Sequence, residues 1–364
     1  MQNEQPLLST YNIGDLELCN RVVMSSLTRG RATNDDLVPT ELHVEYYAQR
    51  ASAGLILTES VWISKNAAGF INVPGIYTEK QTAAWKKVTE AVHAKDGKIF
   101  VQLVHSGAVS HPDFLNGELP LGPSAINPQA KTFTPLGFKD TLTPREYTIE
   151  QIRETINEFK LAAANAKLAG FDGLEIHAQI YTLIPQFLSM ATNQRTDEYG
   201  GSIPNRARIL FEILDAVKEE FPAKKIGIKF TPAAFNPGII KPDHETVATF
   251  DYILERLNNY DLAYVHIVGP AIDLAGTPLA ILKDNYFEHF RNIYKGTLLV
   301  NLGFTQDSGN AIISNGTADL VSFGTAFIAN PDLVKRFELN IPLSAANTDT
   351  YYAGGAKGYT DYPL

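Results

Sequence analysis

Short runs dense in Val, Ile, Leu and Phe recur along the chain, and the stretches between them repeat apolar residues three and four positions apart. The first pattern is that of strands covered on both faces, the second that of helices buried along one face. The strands predicted are Arg21–Leu27, Gly54–Glu59, Lys98–Leu103, Gly173–His177, Ile226–Phe230, Ala263–Ile267, Thr297–Asn301 and Asp319–Phe323. Helices are predicted between them, among them Ile149–Leu168, Asn205–Glu220, His244–Leu257 and Asp332–Phe337, with Thr148 and Asp243 placed to cap the first and third. Eight such strands alternating with helices predict an α/β fold, a closed (β/α)8 TIM barrel. An open doubly wound sheet is the alternative, and it lacks the GxGxxG of a first βα turn.

A plain barrel takes about 250 residues. The chain has 364, which leaves decorations on a single domain spanning 1–364. Pro6–Cys19 reads as a hairpin turning at Ile13-Gly14-Asp15 and closing the barrel floor. Ser106–Tyr147, with six prolines, reads as a lid inserted after the third strand. Ala178–Ser202 reads as an active-site loop after the fourth strand, and Leu343–Leu364 as a tail with Gly354-Gly355 and closely spaced tyrosines.

Composition narrows the partners. With 31 Lys and Arg against 40 Asp and Glu, a formal charge of −9 and no basic block, the chain offers nothing to follow a phosphate backbone, so nucleic acid is not expected. The single cysteine, Cys19, rules out an intramolecular disulfide and a CxxC metal site and reads as a small buried apolar residue. Neither a signal-like N-terminus nor an apolar run of about 18 residues is present, so a cytoplasmic protein, monomer or homodimer, is expected. No HExxH or GxSxG supports a zinc site or a serine hydrolase.

In a barrel of this kind chemistry collects at the C-terminal strand ends. Those positions carry Thr28, Glu59, Gln102 with His105, His177, Lys229, His266, Asn301, and Gly324 with Thr325. Any one of them reads equally well as a satisfied structural residue; three histidines and a lysine on one rim exceed what a structural barrel needs. Asn301-Leu302-Gly303 and Phe323-Gly324-Thr325 follow the last two strands, where glycines let backbone amides approach a phosphate.

Longer motifs then become specific: Asn20-Arg21-Val22-Val23-Met24, Leu27-Thr28-Arg29, Gln102-Leu103 with His105 and Gly107, Ser110-His111-Pro112, and Gly170-Phe171-Asp172-Gly173 through His177. They continue with Gln186-Phe187-Leu188-Ser189, the run from Asn193-Gln194-Arg195-Thr196-Asp197 to Gly201-Ser202, Ala329-Asn330-Pro331-Asp332-Leu333, and Gly358-Tyr359-Thr360-Asp361-Tyr362-Pro363. Over essentially its full length the chain resembles the old yellow enzymes, flavin-dependent ene reductases. The resemblance implies FMN held non-covalently at the strand ends, hydride delivered by NAD(P)H, and hydride passed to the activated C=C bond of an enone, enal or nitroalkene. It puts Ser26, Thr28, Gln102, His177 and Lys229 around the flavin ring, Gly303, Gly324 and Thr325 at its phosphate, and Tyr351 over its dimethylbenzene end. Phe70, Val104, Ile180, Tyr181 and Thr182 fall in the substrate pocket, and His177, Thr182 and Lys229 are the candidate catalytic residues.

Departures from the family pattern gather in that pocket. Ile180 stands in place of a second polarising donor, Thr182 of a tyrosine proton donor, Val104 of Trp, Ala108 of Arg, Phe70 of Tyr and Ser26 of Pro. Lys229 replaces an Arg facing the flavin N1/O2 edge and Thr325 a cation beside the phosphate. These changes imply an FMN enzyme for bulky or apolar electrophilic small molecules, with altered range or reduced activity. Two alternatives remain open: a repurposed barrel with weak or no FMN, doing isomerisation, elimination or carbonyl chemistry through Lys229, and a catalytically silent binding protein.

Overall fold

The computed structural model describes residues 5–236, 239 and 241–363. Eight parallel strands close a barrel in chain order: β1 (Val22–Met24), β2 (Leu55–Trp62), β3 (Ile99–Val104), β4 (Gly173–Ala178), β5 (Ile226–Phe230), β6 (Tyr264–Val268), β7 (Leu298–Asn301) and β8 (Leu320–Phe323), with β8 returning to β1 through Phe323↔Met24. The helices behind them are α1 (Glu41–Gln49), α2 (Glu79–His93), α3 (Ile149–Leu168), α4 (Arg208–Val217), α5 (Thr246–Leu257), α6 (Tyr286–Ile293), α7 (Gln306–Ser314) and α8 (Leu333–Leu339). The TIM-barrel expectation holds. Thr148 caps α3 as expected, accepting the N–H of Gln151 at 3.2 Å. Asp243 does not cap α5, which starts later; its carboxylate accepts from Glu245 N–H and the Thr246 hydroxyl in the turn before the helix. The helix expected over Asn205–Glu220 is divided at Ala207 into Ile203–Arg206 and α4.

The hairpin forms from Tyr11–Ile13 and Leu16–Leu18, turning at Gly14 with φ +59°. Its Ile13 and Leu18 are fully buried against Leu55, Leu57, Phe100, Tyr264, Leu299 and Leu320. These barrel residues sit on alternate strand positions and so point inward. The base is filled by the rings of Phe100 and Tyr264, 6.1 Å apart. They fit because Gly173 and Gly227 are their neighbours: a Cβ at either would lie 2.4 or 2.3 Å from a ring atom.

Two residues further along each strand, the inward positions become Gln102, Glu175, Lys229, His266, Asn301 and Ser322. The interior therefore changes from apolar at the floor to polar at the mouth, while outward residues such as Ile176, Ile228 and Val300 join the large core under the helices. Strand β2 reaches this layer through a bulge. Its pairing with β3 runs Leu57↔Phe100 and then Ser60↔Gln102, three steps against two. The Thr58 hydroxyl accepts the Gln102 N–H at 3.0 Å in the gap, and beyond it Ser60 faces inward and Glu59 outward, toward His43 and Tyr47 of α1.

The tail lies on Arg29 and Arg31, whose guanidiniums donate to the carbonyls of Thr350, Tyr351, Gly355, Lys357 and Gly358. In the insertion between β3 and α3, Lys131–Thr134 pairs with Gly137–Asp140. Phe133 from this hairpin packs on Phe70 (5.7 Å), and Phe70 on Tyr352 of the tail (5.4 Å). Cys19, expected to be buried, is exposed where the hairpin leaves the barrel floor. No helix among the described residues is long and apolar enough to cross a membrane.

Candidate active site

The polar layer is one connected set of side chains, because parallel register sets neighbouring strand ends side by side. Lys229 stands between His177 on β4 and His266 on β6. Its Nζ donates to the hydroxyls of Ser25 (3.1 Å) and Ser26 (3.3 Å). Gln102 Nε2 donates to Ser26 Oγ and to Glu175 Oε1, both at 2.7 Å, and Gln102 Oε1 accepts from Ser60 at 2.9 Å. Glu175 Oε2 accepts from His266 Nδ1 at 2.9 Å, and His266 Nε2 faces Ser322 Oγ at 2.9 Å. Asn301 completes the set through Ser322 at 2.7 Å.

Burial governs the charges. It pushes the Lys229 amine below its usual range, with Glu175 opposing. Burial and then the charge of Lys229 lower both His177 and His266 to about 4, so both rings are neutral near neutral pH. For Glu175 burial acts upward, but the ring of His266, the Lys229 charge and the bonds it accepts outweigh it, and the carboxylate stays ionised below its usual range. The mouth thus holds one amine above one buried carboxylate, joined by neutral hydrogen-bonding groups.

His177 is partly exposed at the mouth. Its Nε2 gives its proton to Gln179 Oε1 (3.0 Å), its Nδ1 lies 3.2 Å from Ser60 Oγ, whose own proton goes to Gln102, and Gln179 donates onward to Thr231 (2.7 Å). Thr182 is not placed as a proton donor: it is 5% exposed, and its hydroxyl donates to the carbonyls of Gln179 (2.7 Å) and His177 (3.0 Å), closing the turn before the helix Leu183–Leu188. Ile180 is partly buried beside it, and Tyr181 is half exposed. Val104 is buried, whereas Phe70, Thr28 and Tyr351 are partly exposed. Not every strand-end residue faces inward: Glu59 is turned out by the bulge, and His105 lines a cavity outside the barrel wall.

Above β7 and β8 the chain leaves backbone donors free. Among the described residues, the N–H groups of Leu302, Gly303 and Gly324 donate to no protein acceptor. Leu302 and Gly303 take φ +91° and +75°, and a Cβ on Gly303 would meet nothing within 4 Å. A positive φ is uncommon for a leucine. Thr325 is exposed next to Gly324.

Sequence reading missed Ser25, Ser60, Glu175 and Gln179. Glu175 and Gln179 were within reach, since period two from Gly173 puts both on the face of His177; Ser60 was hidden by the bulge.

A model of the NADH:flavin oxidoreductase / NADH oxidase family matches residues 6–344. The chain is 38% identical to 12-oxophytodienoate reductase 2 of Arabidopsis thaliana, over 98% of its own length and 95% of the relative's. It is 39% identical to putative 12-oxophytodienoate reductase 5 of Oryza sativa subsp. japonica, over 100% and 96%. Morphinone reductase solved in complex with tetrahydroNAD superposes with a TM-score of 0.92 at 41% identity, over 99% of this chain and 98% of that one. The old yellow enzyme homologue from Zymomonas mobilis gives 0.92 at 36%, over 98% and 99%.

Proposed function

Because the chain belongs to the NADH:flavin oxidoreductase / NADH oxidase family, we propose that it binds FMN in the barrel mouth and uses NAD(P)H to reduce the activated C=C bond of a small apolar enone, enal or nitroalkene. The observation that carries this reading is the pairing of two donor sets across one mouth. Lys229, Gln102 and Thr28, whose hydroxyl has no protein partner among the described residues, suit a ring with acceptor atoms along one edge. The free amides of Leu302, Gly303 and Gly324, with open space at Gly303, suit a phosphate. Ser26 would join the ring edge, Thr325 the phosphate, and Tyr351 the far end of the ring. When bound, FMN supplies the group that accepts hydride from the nicotinamide and passes it on.

The chain's own residues then bind and orient the substrate. His177 is neutral and holds its Nε2 proton toward Gln179, which has a second partner in Thr231. A substrate carbonyl or nitro oxygen takes the place of Gln179 on that proton and is polarised by it. Ile180 adds no donor, so orientation rests on this one bond and on apolar packing against Val104, Phe70 and Tyr181. With the Thr182 hydroxyl committed to backbone carbonyls, the α-carbon proton comes from water at the mouth.

The test is an absorbance spectrum of the purified protein before and after incubation with FMN and desalting, followed by anaerobic NADH- and NADPH-driven reduction of 2-cyclohexenone. A flavin band that survives desalting and enone-dependent consumption of the nicotinamide are expected. Protein that stays colourless overturns the proposal. One observation favours a second reading in that event: among the described residues the Lys229 amine meets two hydroxyls and no carboxylate within salt-bridge distance, with its basicity lowered by burial. Such an amine adds to a carbonyl, expelling water to give an imine. Borohydride trapping of a ketone on the native protein, abolished in Lys229→Ala, is its signature.

A further inference from the structure

Outside the barrel wall, between α3 and the β3–α3 insertion, lies a second cavity of about 470 Å³ that contains none of the mouth residues. It is within the size range of small-molecule sites, roughly 300–1,000 Å³. One wall carries His105, only 4% exposed. Its Nδ1 accepts the N–H of Gly107 at 2.8 Å, and burial lowers the ring to about 3, so it is neutral with its proton on Nε2. Among the described residues that Nε2–H has no hydrogen-bond partner. The Nε2 atom opens onto the cavity, where an acceptor can reach it.

Amid neutral residues such as Leu119, Leu121, Tyr147 and Gln151, the lining also carries carboxylates. Glu154 and Glu158 stand one turn apart on α3, on the same face. Glu158 accepts from Ser64 at 2.9 Å, and burial, reinforced by Glu154, pushes its carboxyl up. Arg145 is the one cation among the described lining residues, and it is paired with Glu118 at 3.5 Å. A half-buried carboxylate at Glu158, an exposed one at Glu154 and a neutral N–H therefore line one cavity. The complement is a cation at one end and an oxygen acceptor at the other.

We propose that this cavity is a binding site for a small ammonium compound bearing a hydroxyl or carbonyl oxygen, its ammonium against Glu158 and Glu154 and its oxygen accepting from His105 Nε2. The site is independent of the flavin reading, and its test uses direct binding. Ethanolamine is titrated into the full-length protein by calorimetry beside ethylammonium, which lacks the oxygen, and ethylene glycol, which lacks the charge. Ethanolamine is expected to bind about tenfold more tightly than ethylammonium, and ethylene glycol not at all. Glu158→Gln is expected to weaken ethanolamine about tenfold, and His105→Phe to reduce it to the level of ethylammonium. The native protein gives a reading that does not depend on either variant folding: the His105 Nε2 proton resonance must move as ethanolamine is added and stay still with ethylammonium. Equal affinity in Glu158→Gln, or a His105 resonance unmoved by ethanolamine at saturation, overturns the proposal.

Discussion

Two of the regions that bury cations treat them differently. Under the tail, Arg31 donates to the carbonyls of Tyr351, Thr350, Gly355 and Lys357, and Arg50 to those of Tyr46, Phe327 and Ile328. Aromatic faces complete their surroundings, with Arg31 4.9 Å from the Tyr359 ring centre and Arg50 3.7 Å from that of Tyr46. In the mouth, Lys229 donates, among the described residues, to the hydroxyls of Ser25 and Ser26 alone. Carbonyls of a folded backbone cannot turn away, and a guanidinium bound to several is fixed with them. Hydroxyls rotate and both give and accept, so an amine held by two of them can exchange one for a ligand. The difference separates a cation locked to the backbone from one whose partners can turn away.

The contrast breaks most visibly at Arg31. Arg31→Ala strips several buried carbonyls of their donor and is expected to cost about 3–5 kcal/mol in urea unfolding, with the tail becoming the first site of proteolysis. Next in size is a pH effect at Glu59, the carboxyl behind the same arginines. Burial raises it to about 8 from 4.5, against the pull of Arg29 and Arg31. The folded chain therefore keeps a proton that the unfolded chain releases, so the stabilisation is whole below 4.5, declines as pH rises, and is gone above about 8. Glu59→Gln is expected to remove a slope of about 1.4 kcal/mol per pH unit across that window, measured as unfolding free energy against pH. A flat native profile would mean the arginines hold Glu59 ionised, and the two regions would then differ less than their geometry says.

The mouth is predicted to respond in the opposite sense. Lys229→Met removes a charge whose partners are hydroxyls, and stability should change by no more than about 1 kcal/mol while FMN retained after desalting falls about tenfold. Destabilisation on the scale of Arg31→Ala would make Lys229 a structural cation after all. The smallest effect belongs to Thr182→Val. A general acid is worth about a hundredfold or more, yet kcat should scarcely move, with stability down by about 1 kcal/mol for the bonds to the Gln179 and His177 carbonyls.

The same contrast explains what the sequence made legible. Covered strands announce themselves as apolar runs, and Thr148 three residues before Gln151 marks a helix start, because these signals are local. Gln102, His177 and Lys229 were readable as strand-end residues once eight strands were counted. The direction of a side chain was harder. Thr182 was read from its place in a motif, and only the turn geometry shows its hydroxyl satisfied by the chain itself. Cys19 was taken as buried on residue type, whereas its position between hairpin and barrel decides its exposure. Glu59 and Ser60 could not be assigned to opposite faces, since no residue in Leu57–Ser60 signals where the extra step falls.

That extra step in β2 acts as a frame-shift within the fold. Strict alternation from Leu55 and Leu57 would carry Glu59 into the mouth and send Ser60 toward α1; one inserted residue exchanges the two. Deleting Thr58 would therefore do more than shorten a strand. It would transplant a carboxyl beside Lys229, where it could ionise against the amine, and take the protonated Glu59 away from behind the arginines under the tail. Two networks that share no hydrogen bond would fail together, because both are addressed by the same count of residues.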